Sequence, residues 1–258
     1  MEIACKSIHL QKDHYYAKIP LPDSALKHGL HSIISLHEAG HMSLPLCHSI
    51  PDRKMFLESL QLYSARVVAL VQTHSRDVVE VTECNPDKYA CQEADGLVTA
   101  LPGAILSVTV ADCLPIFLWN RDASIFCLLH SGWKGTGILK NAFSMIDERF
   151  GLGPCSFEAC IGPGIGACCY SVNQERYNDF CGHFGDECGR QKEGQFFLDL
   201  RRANLRMMEE AGIAGCTVIT DCTCCNPLLG SYRRDGKDGF HNMMVLFGRF
   251  APLKKSME

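Results

Sequence analysis

The chain has 258 residues, of which 47% are hydrophobic and 21% charged, a balance that supports a sizeable core and disfavours disorder. Its formal net charge of −4 and the absence of a basic tract argue against a nucleic-acid binder and a polybasic membrane anchor. Residues 1–14 carry several charges and no apolar run, so we expect no signal peptide. The 16 cysteines are therefore expected to be reduced thiols in a cytoplasmic protein.

The first 60 residues show the least regular pattern, and clear strand signals follow them. Five apolar, β-branched runs predict strands, and the last three are spaced like a meander: Ser64–Gln72, Asp77–Thr82, Ile105–Ala111, Pro115–Trp119 and Ser124–Leu129. Leu101–Trp119 resembles a membrane span, since Asp112 is its single charge. Its two prolines favour two buried strands joined by a polar turn.

Two helices and three late strands complete the pattern. Apolar residues at three- and four-residue steps predict a helix over Ile138–Phe150, which Gly151 would end. A second helix is predicted over Leu200–Ala211, with Asp199 as N-cap and Gly212 as the stop. The strands are predicted at Ser156–Ile161, Thr217–Thr220 and Met243–Phe247. Because strands outnumber helices and do not alternate with them, we expect an α+β fold in one domain, residues 1–258.

Three metal-ligating side chains stand where predicted strands end. They are His74, Cys113 and His130. Two histidines and one cysteine form a ligand set of catalytic zinc, with a fourth position open to water or substrate, and copper accepts the same set. On spacing alone, a pair of hydrogen-bonded histidines and a buried thiol stays an open alternative, because the chain offers many such triples.

A glycine-rich loop and a cysteine cluster form two further candidate sites. Gly162, Gly164 and Gly166 follow a predicted strand, where they would aim N–H groups at an anion or form a tight turn. Cys222 and Cys225 have the spacing of a zinc knuckle or a redox dithiol. We find no second pair at that spacing, so we expect no structural zinc there.

Two arginines and a short histidine motif are weaker signals. Arg233 and Arg234 would hold a phosphate in bidentate fashion or lie in a solvated turn. The segment from His37 to His41 matches the H-E-x-x-H pattern of zinc proteases, which requires a helix. Gly40 disfavours that helix and no third ligand is evident, so a zinc protease is a minor hypothesis.

Seven motifs in order together resemble one family. They are Gln72-Thr73-His74, Ala94–Thr99, Thr109–Pro115, His130–Gly135, Gly162–Tyr170, Cys222–Cys225 and Ser231–Gly236. They are similar to the YfiH/laccase-domain family, once labelled multicopper polyphenol oxidoreductases, over nearly two thirds of the chain. The resemblance implies a four-layer α-β-β-α sandwich with mixed β-sheets, shared with the deamidating toxin fold.

The resemblance also implies a function. It implies Zn²⁺ held by His74, Cys113 and His130, and phosphorolysis of adenosine, inosine and methylthioadenosine, with adenosine deamination as a side activity. Cu²⁺ is possible in vitro, the native metal is left open between the two, and one three-ligand site does not suffice for multicopper oxidase chemistry. We expect a nucleoside and phosphate as partners, no nucleic acid or membrane, and a monomer or weak homo-oligomer.

Roles within that hypothesis follow from residue chemistry. Cys113, His130, Lys134 and Arg233 are the expected catalytic residues. We expect the phosphate to be bound by Lys134, Arg233 and the backbone N–H groups of Gly162–Gly166, among them those of Gly162 and Gly164.

Three more polar residues complete the expected site. Asp112 is a candidate for a protonated group near purine N7. Gln72, which is also a candidate for contacting the substrate, and Asp95 are candidates for orienting the ligands. Alternatively, Gln72 and Asp95 are hydrogen-bonding residues of turns or strand ends and have only structural roles.

Two blocks depart from the family pattern and leave alternatives open. His28–Ser35 replaces a segment that usually contains Arg and Gly-Gly, and Gly239–His241 replaces an expected Gly-Arg. Both are expected to border the substrate pocket. One alternative is a cysteine-dependent amidohydrolase or editing factor acting on a peptidoglycan precursor, with Cys113 as nucleophile and His130 as base. A non-catalytic binding protein is another.

Overall fold

The computed structural model describes residues 1–8, 15–43, 51–62 and 66–250. The strands in this part of the chain are β1 (Glu2–Lys6), β2 (Tyr16–Lys18), β3 (Leu30–Ser35), β4 (Val67–Ala69), β5 (Val78–Val81), β6 (Gly96–Thr99), β7 (Ile105–Val110), β8 (Leu114–Asn120), β9 (Phe126–Ser131), β10 (Phe157–Ile161), β11 (Ser171–Val172), β12 (Gly189–Lys192), β13 (Gln195–Leu198), β14 (Gly215–Ile219) and β15 (Met243–Arg249). The helices are α1 (Asp23–Leu26), α2 (Pro51–Ser59), α3 (Pro86–Tyr89), α4 (Ile138–Phe150), α5 (Gln174–Phe184), α6 (Leu200–Ala211) and α7 (Tyr232–Gly239).

The strands form two large mixed sheets and one small one. The larger of the two large sheets has seven strands in the order β1-β14-β10-β8-β9-β6-β5. The other large sheet has five strands in the order β2-β3-β15-β7-β4. Parallel pairs such as β10 with β14 stand beside antiparallel pairs such as β8 with β9. A three-stranded sheet, β11-β13-β12, lies outside them.

Side-chain alternation along the strands creates four layers. In β8, Phe117 and Trp119 face β15 of the other sheet, where their rings lie 5.2 and 6.4 Å from that of Phe247. The alternate residues of β8 pack with helices α4 and α6 on the opposite face. In β15, Met244 and Leu246 point away from Phe247 and pack with α2. This arrangement confirms the predicted α-β-β-α sandwich with mixed sheets.

The chain crosses from one large sheet to the other immediately after β7. Strand β7 pairs with β15 and β4, whereas β8 and β9 form a hairpin in the larger sheet. The predicted meander of these three strands is therefore wrong. β7 and β8 are buried along almost their whole lengths, so no polar–apolar alternation indicated which sheet either would join.

The structure agrees with the sequence-based interpretation of Leu101–Trp119 and with the two predicted helices. Leu101–Trp119 contains two strands joined by a turn, as predicted, and no helix in the described residues is long and apolar enough to cross a bilayer. Both long helices have the predicted bounds and end at Gly151 and Gly212, whose φ angles are 65° and 75°. The strand predicted over Ser64–Gln72 is observed only over Val67–Ala69: residues 63–65 lie outside the described part, Arg66 is in a 3₁₀ turn, and the strand ends three residues before Gln72.

The N-cap of α6 gives a first test of these local signals. The Asp199 carboxylate accepts a hydrogen bond from the backbone N of Arg202. We expect Asp199→Ala to lower the free energy of unfolding by about 1 kcal/mol, because a helix N–H loses its acceptor. Chemical denaturation measures the change, with Asp199→Asn as the control that keeps an accepting oxygen. An unchanged midpoint for the alanine variant would contradict the capping role.

Candidate metal centre and active site

The structure brings the three predicted metal ligands together at one end of the sandwich. His74 follows β4, Cys113 lies in the crossing between β7 and β8, and His130 is near the end of β9. One ligand atom from each lies within 4.8 Å of the others. The two imidazole rings lie 5.0 Å apart at an angle of 71°. Their nitrogen and sulfur donors suit zinc or copper.

A glycine next to the ligands makes room for the thiol. A Cβ atom on Gly132 would lie 2.5 Å from the sulfur of Cys113 and 3.7 Å from the ring of His74. A Cβ atom cannot lie 2.5 Å from a sulfur atom to which it is not bonded, so any residue other than glycine at position 132 would displace Cys113. The sequence His130-Ser131-Gly132 thus places a ligand and the space for a second ligand on the same short segment.

A buried carboxylate holds two of the ligands in place. Both oxygens of Asp95 accept hydrogen bonds from the loop that carries His74, through the backbone N–H groups of Thr73, His74 and Ser75. The Nδ1 atom of His130 lies 2.7 Å from the same carboxylate. Donation from Nδ1 leaves the Nε2 lone pair free for a metal. The contacts support the ligand-orienting role that we assigned to Asp95.

The loop around His74 has an unusual backbone conformation that these bonds maintain. His74 has a φ angle of 60°, in the left-handed region that costs a non-glycine residue energy. Its own N–H donates to Asp95, and so does the N–H of Ser75 at 2.6 Å. The carboxylate therefore fixes both the conformation of this loop and the position of the imidazole.

The charges of the site favour a thiolate. Burial by itself raises the pKa of Cys113, but the charge of His130 and hydrogen bonds from His130 and His74 outweigh it and lower the pKa from 9.0 to about 6. Burial lowers the pKa of His130, yet the Cys113 thiolate and Asp95 raise it overall. Burial also disfavours the Asp95 carboxylate, while its bonds to His130 and Ser75 lower its pKa. The site therefore holds a thiolate, the form that binds metals and attacks electrophiles.

A cavity of about 800 Å³ opens over the three ligands. Four cationic side chains line it: Arg53, Lys134, Arg176 and Arg233. Among the described residues of its wall, Asp112 is the one carboxylate. Four large aromatic side chains also line it: Trp133, Tyr170, Tyr232 and Phe240. The wall thus combines positive charge for an anion with flat apolar surface for a ring system.

Arg233 and Asp112 form one connected unit at this wall. The Nη1 atom of Arg233 donates to the carbonyl oxygens of Cys169 and Ser171 at 3.1 and 2.9 Å. The Asp112 carboxylate accepts from the backbone N of Arg233 at 2.7 Å and from the hydroxyl of Thr223 at 2.6 Å. Both carboxylate oxygens accept from the chain, which supports a positioning role for Asp112, and its suggested role as a proton donor stays a prediction.

The glycine-rich loop packs closely beneath the site. The N–H groups of Gly162 and Ile165 donate to the carbonyls of Pro115 and Asp112, and that of Gly166 points to the sulfur of Cys222. Gly162 and Gly164 are buried, and a Cβ on either would lie 2.6 Å from a β8 side chain. Three N–H groups of the loop thus have partners within the protein, and Gly162 and Gly164 allow close packing beneath the site; their assignment to phosphate stays a prediction.

The remaining predicted residues lie at the cavity. Lys134 is exposed at its wall. The amide side chain of Gln72, also a wall residue, pairs with the backbone of Thr109, donating to its oxygen at 2.9 Å and accepting from its nitrogen at 2.6 Å. Gln72 thus ties the strand that precedes His74 to the end of β7.

Two arginines of the wall were not predicted. Arg53 in α2 is buried, and Nη1 donates to the oxygen of Met42, but no carboxylate pairs with it within the described ranges. Burial lowers its pKa to about 10. Arg176, at the start of α5, lies 4.2 Å from the ring centre of Trp133. Their signal in the sequence was weak, because single arginines in amphipathic helices are usually solvent-exposed.

Of the two blocks that depart from the family pattern, Gly239–His241 lies at the cavity, whereas no residue of His28–Ser35 lines it. The ring of His37 stacks on that of His241 at 4.4 Å, and Phe240 lines the cavity. The segment His37–Ala39 is a single 3₁₀ turn followed by Gly40 with a φ angle of 91°. The α-helical geometry needed by a zinc protease is absent, so this minor hypothesis is corrected as well.

The low pKa of Cys113 predicts its reactivity. In metal-free protein we expect iodoacetamide to alkylate Cys113 with a midpoint near pH 6, because the thiolate exists above that value and is protonated below it. His130→Asn should shift the midpoint up toward 9.0, the ordinary value, because the favourable charge is lost. Peptide mass spectrometry follows Cys113 alone, with a free thiol compound as reference. A wild-type midpoint near the reference value would refute the assignment.

Comparison with known proteins places the chain in a family. The model of the multi-copper polyphenol oxidoreductase laccase family matches residues 50–248. Purine nucleoside phosphorylase YlmD of Geobacillus stearothermophilus is 30% identical over 242 residues, which cover 86% of this chain and 88% of that protein. The Bacillus subtilis protein of the same name is 32% identical over 193 residues, 69% of this chain and 68% of its own.

A solved structure agrees with the sequence matches. The crystal structure of YlmD from Geobacillus stearothermophilus superimposes with a TM-score of 0.82 at 27% identity, covering 95% of this chain and 100% of that chain. The chain belongs to the multi-copper polyphenol oxidoreductase laccase family, the YfiH family.

Proposed function

We propose that this chain is a zinc-dependent purine nucleoside phosphorylase that acts on adenosine, inosine and methylthioadenosine and deaminates adenosine as a side activity. The observation that carries the proposal is the cavity over His74, Cys113 and His130, with four cationic and four aromatic side chains in its wall. That wall matches a phosphate ion together with a purine. The relatives named purine nucleoside phosphorylase support the same reaction.

The three ligands fit a single metal ion. His74, Cys113 and His130 supply two imidazoles and a thiolate, and Gly132 keeps the space around the sulfur. A bound zinc ion would supply Lewis acidity and activate a water molecule at neutral pH. The chain itself contributes the orientation of the ligands, through Asp95, and the shape of the cavity.

Phosphorolysis requires a phosphate ion to be held beside C1′ of the ribose. The guanidinium of Arg233 is held in one orientation by Cys169 and Ser171, which prepares it for bidentate contact with phosphate. Arg53 is a buried cation without a carboxylate partner in the described residues, so an anion in the cavity would balance its charge. Lys134 and Arg176 add positive charge at the entrance.

The purine would lie against the aromatic part of the wall. Tyr232 and Phe240 contact each other edge to face, with ring centres 5.0 Å apart. Trp133, which stacks with Arg176, stands close to the metal ligands in the chain. Flat rings of this kind stack on a base without distinguishing adenine from hypoxanthine, in keeping with the proposed range of nucleosides.

One specific arrangement favours a second candidate function. Cys113, His130 and Asp95 follow the order of thiolate, imidazole and carboxylate found in cysteine hydrolases. A cysteine-dependent amidohydrolase acting on a peptidoglycan precursor would use these groups directly. Its activity would survive complete metal removal, which separates the two candidates.

A nucleoside assay tests the main proposal. We expect protein loaded with zinc to release adenine from adenosine and hypoxanthine from inosine only when phosphate is present, as followed by HPLC. Chelator treatment and His74→Ala should each abolish release, because a ligand set of two residues binds the metal weakly. Arg121→Ala, at an exposed turn away from the cavity, is the control.

Other results of that assay are equally informative. Base release that persists in metal-free protein would contradict zinc dependence. Inosine formed from adenosine without any free base would leave deamination as the activity and refute phosphorolysis. Hydrolysis of a peptidoglycan-type amide by metal-free protein would favour the cysteine-dependent candidate.

The role of the arginines is tested by phosphate kinetics. Arg233→Ala and Arg53→Ala should each raise the KM for phosphate roughly ten- to hundred-fold, since each removes a charge-assisted contact of about 1.5–3 kcal/mol. The KM for the nucleoside should change less, because the aromatic wall is retained. Equal phosphate KM values in the variants and the wild type would refute the phosphate site.

A further inference from the structure

A second group of metal-ligating side chains lies outside the active site. Cys168 and Cys169, at the end of the glycine-rich loop, meet Cys222 and Cys225, which follow β14. One sulfur from each lies within 4.8 Å of the others. The sequence offered no second pair at the spacing of Cys222 and Cys225, and the fold supplies it from two adjacent residues instead.

The distances between the sulfurs fit a metal better than a disulfide. The sulfur of Cys225 lies 3.7 Å from that of Cys168 and 3.3 Å from that of Cys169. A disulfide bond requires about 2.05 Å. Zinc–sulfur bonds of about 2.3 Å in a tetrahedron place neighbouring sulfurs about 3.8 Å apart. The four cysteines are therefore already close to the spacing of a tetrahedral zinc site.

The backbone of the two loops fixes this arrangement. Gly164 forms a parallel bridge with Cys222, and the N–H of Thr223 donates to the Gly164 oxygen at 3.2 Å. The N–H of Gly166 points to the sulfur of Cys222 at 3.2 Å. Hydrogen bonds from backbone N–H groups to sulfur are the usual support for thiolate ligands. The loops would thus present their sulfurs without rearrangement.

A positive charge lies beside the sulfurs. A Cβ on Gly166 would be 3.1 Å from the Cys168 sulfur and 3.3 Å from Nη1 of Arg201, so the two groups share one face of this glycine. Arg201 also donates to the Gly164 oxygen. Its Nε is buried without a hydrogen-bond partner in the part of the chain that the structure describes. Four thiolates around Zn²⁺ carry net negative charge, which this guanidinium would balance.

We propose that Cys168, Cys169, Cys222 and Cys225 bind a structural zinc ion, separate from the metal centre of the active site. The ion links the loop after β10 to the loop after β14. Four protein sulfurs leave no open position, so this zinc has no catalytic role. The proposal does not depend on the reaction proposed above.

The second zinc would stabilise the phosphate side of the cavity. The carbonyl of Cys169 accepts from Arg233, and the hydroxyl of Thr223 donates to Asp112. Both loops of the four-cysteine site therefore contact the unit that positions Arg233. Loss of this zinc should lower the melting temperature, with a smaller effect on the ion held by His74, Cys113 and His130. A raised KM for phosphate is expected as well, and that one consequence rests on the proposed function.

Metal analysis of the full chain tests the proposal. Protein purified under reducing conditions and without chelator should contain about two zinc ions per chain. His74→Ala should retain about one. Cobalt substituted into that variant should give the intense sulfur-to-metal charge-transfer absorption of four thiolates. Cys225→Ser should also retain about one ion, with the weaker absorption of a single thiolate.

Controls make the outcome decisive. Cys155→Ser, an exposed cysteine outside both sites, should keep about two zinc ions. If Cys225→Ser does not fold, the wild type and His74→Ala decide alone. A wild type with one zinc that disappears in His74→Ala would overturn the proposal, and so would a disulfide between the two loops or copper in place of zinc. Lack of nucleoside turnover with both ions bound would refute only the proposed function.

Discussion

The arrangement of the active site depends on one buried carboxylate. Asp95 accepts from the loop that carries His74 and also pairs with Nδ1 of His130, so a single side chain positions two ligands from different strands. A buried charge is costly unless it is fully hydrogen-bonded, and here the loop N–H groups and the imidazole provide those bonds. The same pairing maintains the left-handed backbone of His74 and orients His130 toward the sulfur of Cys113.

The crossing between the two large sheets connects this centre to the rest of the cavity. Strand β7 belongs to one sheet and β8 to the other, so the turn between them brings Cys113 to the end of the sandwich. Asp112 in this turn has a φ angle of 86°, and its carboxylate binds the backbone of Arg233 and the hydroxyl of Thr223. A change at this turn would therefore move the thiolate and the arginine together.

The cavity obtains its positive charge from distant parts of the chain. Arg53 comes from α2, while Arg176 and Arg233 come from α5 and α7. His241 of the departing block Gly239–His241 stacks on His37, which follows the other departing block, His28–Ser35. Phe240 of the same block lines the cavity, so this departure from the family pattern lies where a substrate would bind.

The sequence by itself determined the elements whose signals are local. Helices α4 and α6 have the predicted bounds because apolar periodicity and capping residues act within a few residues, and the ligand triple was visible because each member follows a predicted apolar strand. Tertiary structure alone decided which sheet β7 joins, which partners the N–H groups of the glycine loop find, and that Cys168 and Cys169 meet Cys222 and Cys225. These outcomes depend on contacts between segments far apart in the chain. Neither a fully buried strand nor an individual cysteine carries a local sequence pattern that identifies its distant partner.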